Sequence, residues 1–403
     1  MIKKLIIEKA ERLQKLPPTP FVEARRIKQG LIRRGVEVID LGQLDPDPSL
    51  RDFFIPSFDR REMFVPSDLK IWQELKQEIV KWLEQRYDLS TGAIGKVKSG
   101  KVIFPFFGEK RVIYHLLLGL VDPGEMVAVP DPGKPIYKIA PILAGAEVET
   151  FPLLERNDYL PNLNALFSSR RGGKLPKILF LNYPHDPTSS VADSEFFQEV
   201  VEWAGKKNVL IVNDTSGNEI CYDDHIPVSL LQTKGAKKLA VERFSFFALT
   251  GIQFGFLVGD RGIISQVESV EHALGGNVSK ALVFLGLEIL KNYSQIAQKN
   301  NLEFALRKET LLKGLFQLGW KAKKPKAGPF VWVKIPSKYS SVGFFRMLLR
   351  KTGVLVSPGF GFGEFGEGSV RVALNFPADQ IQKALERLEK HSHLWQRRYR
   401  PKS

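Results

Sequence analysis

The sequence predicts an α/β protein, with a large domain built on a mostly parallel sheet and a smaller α+β domain after it. Three observations carry this reading. Between about Val102 and Gly259, short apolar runs alternate with segments of helical periodicity. The runs Val127–Val129, Ile178–Leu181, Val209–Val212 and Phe254–Val258 lack strict polar alternation, as strands covered on both faces should. After about residue 285 the pattern changes to a long helical stretch followed by short strands.

The chain opens with Lys and Arg on helical spacing. Leu16-Pro-Pro-Thr-Pro-Phe21 then breaks any helix and leaves an extended arm. A second helix is expected over Val22–Arg34. Residues 67–87 form the clearest helix: Leu69, Trp72, Leu75, Ile79 and Trp82 or Leu83 recur at three- and four-residue steps, with Ser67 placed to cap it. Further helices are expected at 109–120, 135–143 and 194–205, with turns at Asp122-Pro-Gly124 and Asp131-Pro-Gly133. A helical region from Leu282 to about Leu318, strands near Phe330–Lys334 and Val370–Ala373, and a terminal helix over 378–390 complete the chain. The expected division is 1–50 for the N-terminal arm and helix, 51–285 for the large domain, 286–390 for the small domain and 391–403 for a basic tail. There is no internal repeat.

At 403 residues, 43% hydrophobic and 26% charged, the composition is that of an ordinary globular chain. Apolar stretches are too short to span a bilayer; Ala281–Leu287 ends at Glu288. Met1-Ile-Lys-Lys-Leu-Ile-Ile-Glu8 has charges inside it and no small-residue cleavage site, and the single Cys221 excludes an intrachain disulfide. Both features point to the cytosol. The net charge is +15 but the basic residues are scattered, apart from Lys390, Arg397, Arg398, Arg400 and Lys402 near the C-terminus. That cluster reads as a solvated or partner-packed tail more readily than as a nucleic-acid contact.

Several local words then occur in a telling order: Val38-Ile-Asp-Leu-Gly-Gln-Leu-Asp-Pro-Asp47, Val121-Asp-Pro-Gly-Glu-Met-Val-Ala-Val-Pro-Asp-Pro-Gly-Lys-Pro135, Asn182-Tyr-Pro-His-Asp-Pro-Thr188, Ser357-Pro-Gly-Phe-Gly-Phe-Gly-Glu364 and Val370-Arg-Val-Ala-Leu374. Together they resemble the class I/II aminotransferases, and within them the branch of LL-diaminopimelate aminotransferase. The resemblance implies the fold-type I architecture of transferases that use pyridoxal phosphate, with a mostly parallel seven-stranded-type sheet. It also implies a homodimer with its cleft between the domains and at the subunit interface.

Family chemistry needs a lysine for the Schiff base, a carboxylate at the pyridine nitrogen, a phosphate cup with an arginine, and a second arginine for the substrate carboxylate. By resemblance, Asp214 stands at the pyridine-nitrogen position and Arg371 at the substrate-carboxylate position. The other positions depart from the pattern. In Phe244-Ser-Phe-Phe-Ala-Leu-Thr-Gly-Ile-Gln-Phe-Gly-Phe256, counting back from Thr250-Gly251 places Ser245 at the lysine and Gln253 at the phosphate arginine. No lysine lies between Lys238 and Lys280. Asp186 stands where the family asparagine bonds the cofactor ring oxygen, Lys134 at the tyrosine of the Pro-Gly-Tyr-Pro word, and Gly217 at the tyrosine after the aspartate. Leu44 stands at a substrate-side glycine. Phe107-Gly108-Glu109 replaces the small polar phosphate loop, and Glu109 suits the helix dipole there as a cap.

These departures lead to the expectation of a pseudoenzyme, an aminotransferase homologue acting by binding or assembly, with no catalytic residue and no cofactor. The alternative is an active enzyme that moves an amino group between an amino acid and a 2-oxo acid through pyridoxal phosphate. A weaker one is a basic scaffold for nucleic acid or an acidic protein. Expected partners are a second copy of the chain, a small carboxylate and a protein partner, with no membrane. Gly361-Phe-Gly-Glu-Phe-Gly366 spells a dinucleotide fingerprint but is followed by a strand-like run where a helix is required, so it reads as a loop. The histidines show no metal-ligand spacing beyond His391 and His393 in the tail. Ser245 has no evident base partner.

Overall fold

The computed structural model describes residues 8–43, 65–89, 102–166, 175–274 and 278–395. Leu44 and the basic residues of the tail beyond 395 lie outside these.

The first half of the chain runs α1 (Glu11–Gln14), α2 (Pro20–Ile32), β1 (Ile39–Asp40), α3 (Leu69–Tyr87), β2 (Ile103–Phe107), α4 (Glu109–Leu120), β3 (Met126–Asp131), α5 (Pro135–Ala144), β4 (Glu147–Pro152), β5 (Ile178–Asn182), α6 (Ser194–Lys207) and β6 (Leu210–Asp214). It continues through β7 (Ala240–Ser245), α7 (Phe247–Thr250), β8 (Phe254–Gly259), α8 (Arg261–Leu274), α9 (Lys280–Lys291) and α10 (Tyr293–Gln317). The last part comprises β9 (Ala322–Lys323), β10 (Phe330–Lys334), α11 (Ser341–Thr352), β11 (Val354–Leu355), β12 (Ser357–Pro358), β13 (Ser369–Ala373) and α12 (Ala378–Lys390).

A seven-stranded sheet in the order β2-β8-β7-β6-β5-β3-β4 forms the larger layer. It is mixed but mostly parallel: β8 alone runs against its neighbours β7 and β2. Three of its strands escape the sequence reading, for identifiable reasons. β2 carries Pro105, tolerated because β2 is an edge strand. β4 is the other edge and presents Glu147 and Glu149. β7 is central yet contains Glu242 and Arg243.

The expected helices form, α8 and α11 are additional to them, and two details differ. Asp68, not Ser67, caps α3: its carboxylate accepts the Ile71 N–H at 3.0 Å, while the Ser67 hydroxyl donates to the Val278 carbonyl. The long helical region is two helices, broken at Asn292, whose side-chain amide donates to the Glu288 carbonyl at 2.9 Å. A four-stranded antiparallel sheet, β12-β13-β10-β9, builds the smaller layer.

One face of the large sheet is sealed by an aromatic cluster around Trp82 of α3. Its ring meets Tyr87, Phe244, Phe246, Phe256 and Tyr293 edge-on, with centroids 5.3–5.7 Å apart. Alternation along β7 puts Phe244 into this cluster and turns Arg243 and Ser245 the other way. Gly255 of β8, opposite Ser245, has no room for a side chain, since a Cβ would lie 2.2 Å from the Phe244 carbonyl oxygen.

Glu242 is fully buried beside Asn213 of β6, the Ser229 hydroxyl and the Leu230 and Leu231 amides. Burial pushes its carboxyl up to about 6 despite these donors. Because the folded value exceeds the ordinary one, this group's stabilising contribution is full below about pH 4.5 and is lost as pH rises through about 6. Glu242→Gln is therefore expected to remove about 2 kcal/mol of pH dependence between pH 4.5 and 7, read as the variant-minus-parent difference in urea unfolding.

Candidate active site

Ligands of open α/β sheets bind outside the carboxyl ends of the strands. Here the register of β5, β6 and β7 brings Asn182, Asp214 and Arg243 side by side at those ends. Asp214 is 1% exposed. Its Oδ2 accepts from Lys134 Nζ at 3.0 Å and Tyr137 Oη at 2.6 Å; its Oδ1 accepts from Arg243 Nη1 at 2.7 Å and the Ser216 amide at 2.9 Å. A carboxylate has about four acceptor sites, and all are in use. Burial alone would raise the Asp214 carboxyl, but Arg243 and Lys134 outweigh it and hold it well below the usual carboxylate range. Burial, reinforced by Asp214, keeps the Tyr137 hydroxyl protonated and donating. Lys134 reaches the site from the residue before α5 and also contacts the Ser216 hydroxyl.

The network continues through Arg243, 2% exposed and lying over the Phe106 ring. Its Nη2 donates to the Glu109 carboxylate. The other Glu109 oxygen accepts from Ser245 Oγ at 2.8 Å, which gives the serine the carboxylate partner that the sequence does not reveal. Glu109 is the first residue of α4 and so also faces that helix's positive end. Gln253 keeps its side chain exposed and contributes only its carbonyl, which accepts the Gly108 N–H at 2.8 Å. Gly217 packs its backbone against Gly328.

Arg371, on β13, forms a second charged centre. It donates to Asp186 Oδ1 at 2.7 Å and to the Gly42 carbonyl at 2.9 Å, and its guanidinium lies over Phe330 and Phe362. Its buried Nε has no hydrogen-bond partner among the described residues. Asn182 couples the two centres: its amide donates to the Asp214 carbonyl at 2.7 Å, and its Oδ1 accepts the Asp186 N–H at 3.0 Å. The Gly361–Gly366 loop is a pair of short 3-10 turns followed by β13. Its Glu364 and Phe365 amides bind the Asp131 carboxylate, not a nucleotide.

The structure thus joins Glu109, Lys134, Asp214 and Ser245 in one network and Asp186 with Arg371 in another, and leaves the Gln253 side chain outside both. Sequence reasoning misses Arg243, Tyr137, Ser216 and Asn182. The available signal was the charged pair Glu242-Arg243 inside an otherwise apolar run.

Residues 54–388 match the family model described as aminotransferase class I and II. The chain belongs to that family. It is 36% identical to the LL-diaminopimelate aminotransferase of Maridesulfovibrio salexigens, covering 94% of this chain and 98% of that one. It is 32% identical to the LL-diaminopimelate aminotransferase of Halothermothrix orenii, covering 95% and 98%. Among solved structures, substrate-bound BacF from Bacillus subtilis superposes with a TM-score of 0.85 at 25% identity, over 96% of this chain and 98% of that one.

Family membership overturns the expectation that the chain takes no cofactor: the relatives are aminotransferases that depend on pyridoxal phosphate, so the family implies that cofactor here. Its charged ends do not fit the residues as they are arranged. Asp214 is the right group for a pyridinium N–H, but its acceptor sites are taken. A phosphate dianion at the start of α4 would meet the Glu109 carboxylate. Ser245 offers no amine.

The depressed Asp214 carboxyl stabilises the fold above its ordinary value of 3.8, and that contribution is lost as pH falls below it. Asp214→Asn is expected to cost about 3–5 kcal/mol at pH 7 by leaving Arg243 and Lys134 without their shared anion. The variant should also lose the parent's steepening instability on acidification below the ordinary value of 3.8, read from urea unfolding at about pH 5, 3.5 and 2.5.

Proposed function

We propose that this chain keeps the aminotransferase scaffold and a cleft for small carboxylates, and does not carry out transamination through the family's lysine. One observation supports this above the others: no lysine lies between Lys238 and Lys280, and Ser245, which cannot form an imine, stands in that segment with its hydroxyl bound to Glu109. The carboxylate half rests on Arg371, a planar, aromatic-backed guanidinium suited to a carboxylate and held in place by Asp186 until a ligand displaces it. In this reading residues 51–285 and 286–390 are the two domains that wall the cleft, and a homodimer is the working unit.

A second reading has its own support. The near full-length likeness to LL-diaminopimelate aminotransferases favours an active enzyme that moves an amino group between an amino acid and a 2-oxo acid with pyridoxal phosphate. The amine inside the cleft would then be Lys134, 3.0 Å from Asp214. Against it, that amine is already engaged by the Asp214 carboxylate and the Ser216 hydroxyl.

Protein mixed with pyridoxal phosphate, reduced with borohydride and mapped by mass spectrometry is expected to yield no stoichiometric lysine adduct. A stoichiometric adduct on Lys134 would decide for the second reading. For the carboxylate cleft, Asp186→Asn frees Arg371 and is expected to raise affinity for succinate about tenfold, close to 1.4 kcal/mol, by titration calorimetry. Unchanged affinity would remove Arg371 from ligand binding.

A further inference from the structure

A groove of about 510 Å³ opens where the loop after β4 meets β9 and β10, on the far side of Trp332 from Arg371. Trp332 pairs across the small sheet with Arg371 on one side and Lys323 on the other, so it forms a wall between the cleft and the groove. Lys321, Lys323 and Lys334 line it together with Glu155, Asp158 and the rings of Tyr159 and Trp332.

Three features separate this groove from ordinary surface. First, its volume of about 510 Å³ lies in the range of small-molecule sites. Second, the buried Tyr159 adopts left-handed backbone at φ 59°, uncommon for a bulky residue. Third, Lys323 is held from behind. Its Nζ donates to the buried Ser190 hydroxyl at 2.6 Å, and Ser190 continues through Thr188 to His185, whose Nε2 lies 3.0 Å from the Pro132 carbonyl oxygen. That chain ends two residues from Lys134 of the cleft.

Both signs of charge face the groove. Glu155 and Asp158 are 68% exposed and pair with Lys334 and Lys323, while Lys321 has no ion-pair partner among the described residues. Exposed pairs of this kind contribute little and exchange readily for a ligand of matching charges.

We propose that the groove binds a free amino acid with an apolar or aromatic side chain, its carboxylate on Lys321 and Lys334, its ammonium on Glu155 and Asp158, and its side chain against the rings of Tyr159 and Trp332. The site is separate from the carboxylate cleft, where Arg371 recognises a carboxylate alone.

The test is calorimetric titration of the full chain, its Arg371 cleft first saturated with succinate, with L-phenylalanine, 3-phenylpropionate and phenethylamine. L-phenylalanine is expected to bind, and each half-charged analogue at least tenfold more weakly. Lys321→Ala combined with Lys334→Ala, and separately Glu155→Ala, should each weaken L-phenylalanine at least fivefold, while Asp186→Asn should leave it unchanged. All of these substitutions lie at exposed or partly exposed side chains of the rim or in the other centre, and circular dichroism confirms that each variant is folded. Absence of L-phenylalanine binding up to 10 mM (about the weakest affinity calorimetry resolves) overturns the proposal. So does equal binding of 3-phenylpropionate, or binding that follows Asp186→Asn and ignores the lysines; that last outcome assigns the ligand to the Arg371 cleft.

Discussion

The carboxylate of Asp214 is the constraint around which the upper end of the large sheet is arranged. It lies at the end of a central strand, 1% exposed, where an unpaired charge would be prohibitively unfavourable. Its donors come from separate parts of the chain: Lys134 and Tyr137 from around the start of α5, Arg243 from β7, and Ser216 from the turn that follows β6. Arg243 passes the constraint on to Glu109, and Glu109 to Ser245. The entry points of α4 and α5 and the ends of β6 and β7 are thus tied together through one anion.

The same pattern of internal neutralisation describes the cleft as a whole. Lys134 and Arg243 are balanced by Asp214 and Glu109, and Arg371 by Asp186. Each buried cation already has a resident carboxylate at hydrogen-bonding distance. An anionic ligand therefore has to exchange with a side chain instead of filling an open charge, which lowers its net gain by whatever the resident pair contributes. Arg371 is the place where exchange is easiest. Asp186 engages only one terminal nitrogen, Nε is unpartnered among the described residues, and the faces of Phe330 and Phe362 hold the guanidinium in place when its partner changes.

The fold is legible where an apolar stripe or run is uninterrupted, although the amphipathic α8 and α11 escape the reading. The apolar stripe of α3 and the runs of β3, β5, β6 and β8 show in the sequence because side chains there respond to a single environment. β7 did not show, because Glu242 and Arg243 read as exposed until their partners are known, and those partners, Ser229, Asn213, Asp214 and Glu109, lie up to 134 residues away. The site divides along the same line. Asp214, Asp186 and Arg371 could be placed from local words, whereas the pairing of Asp186 with Arg371 spans 185 residues and depends on how the two sheets meet. The expectation of no cofactor fails for a different reason: it sets the altered side chains above what membership of the family implies.

The likeness to the family and the altered cleft coexist because they rest on different atoms. The matching words are rich in glycine and proline and fix the backbone. A Cβ at Gly133 would lie 2.6 Å from the Pro130 carbonyl oxygen, and one at Gly359 only 1.9 Å from that of Gly366, so these positions admit nothing larger. Lys134, Asp186, Ser245 and Gln253 are side chains set on a backbone that the turns and ladders already determine. The chain can therefore superpose on BacF with a TM-score of 0.85 while Ser245, Glu109 and Lys134 line its cleft. Overall identity reports the scaffold; what the cleft does is decided by those few side chains and by the charges they leave for a ligand to meet.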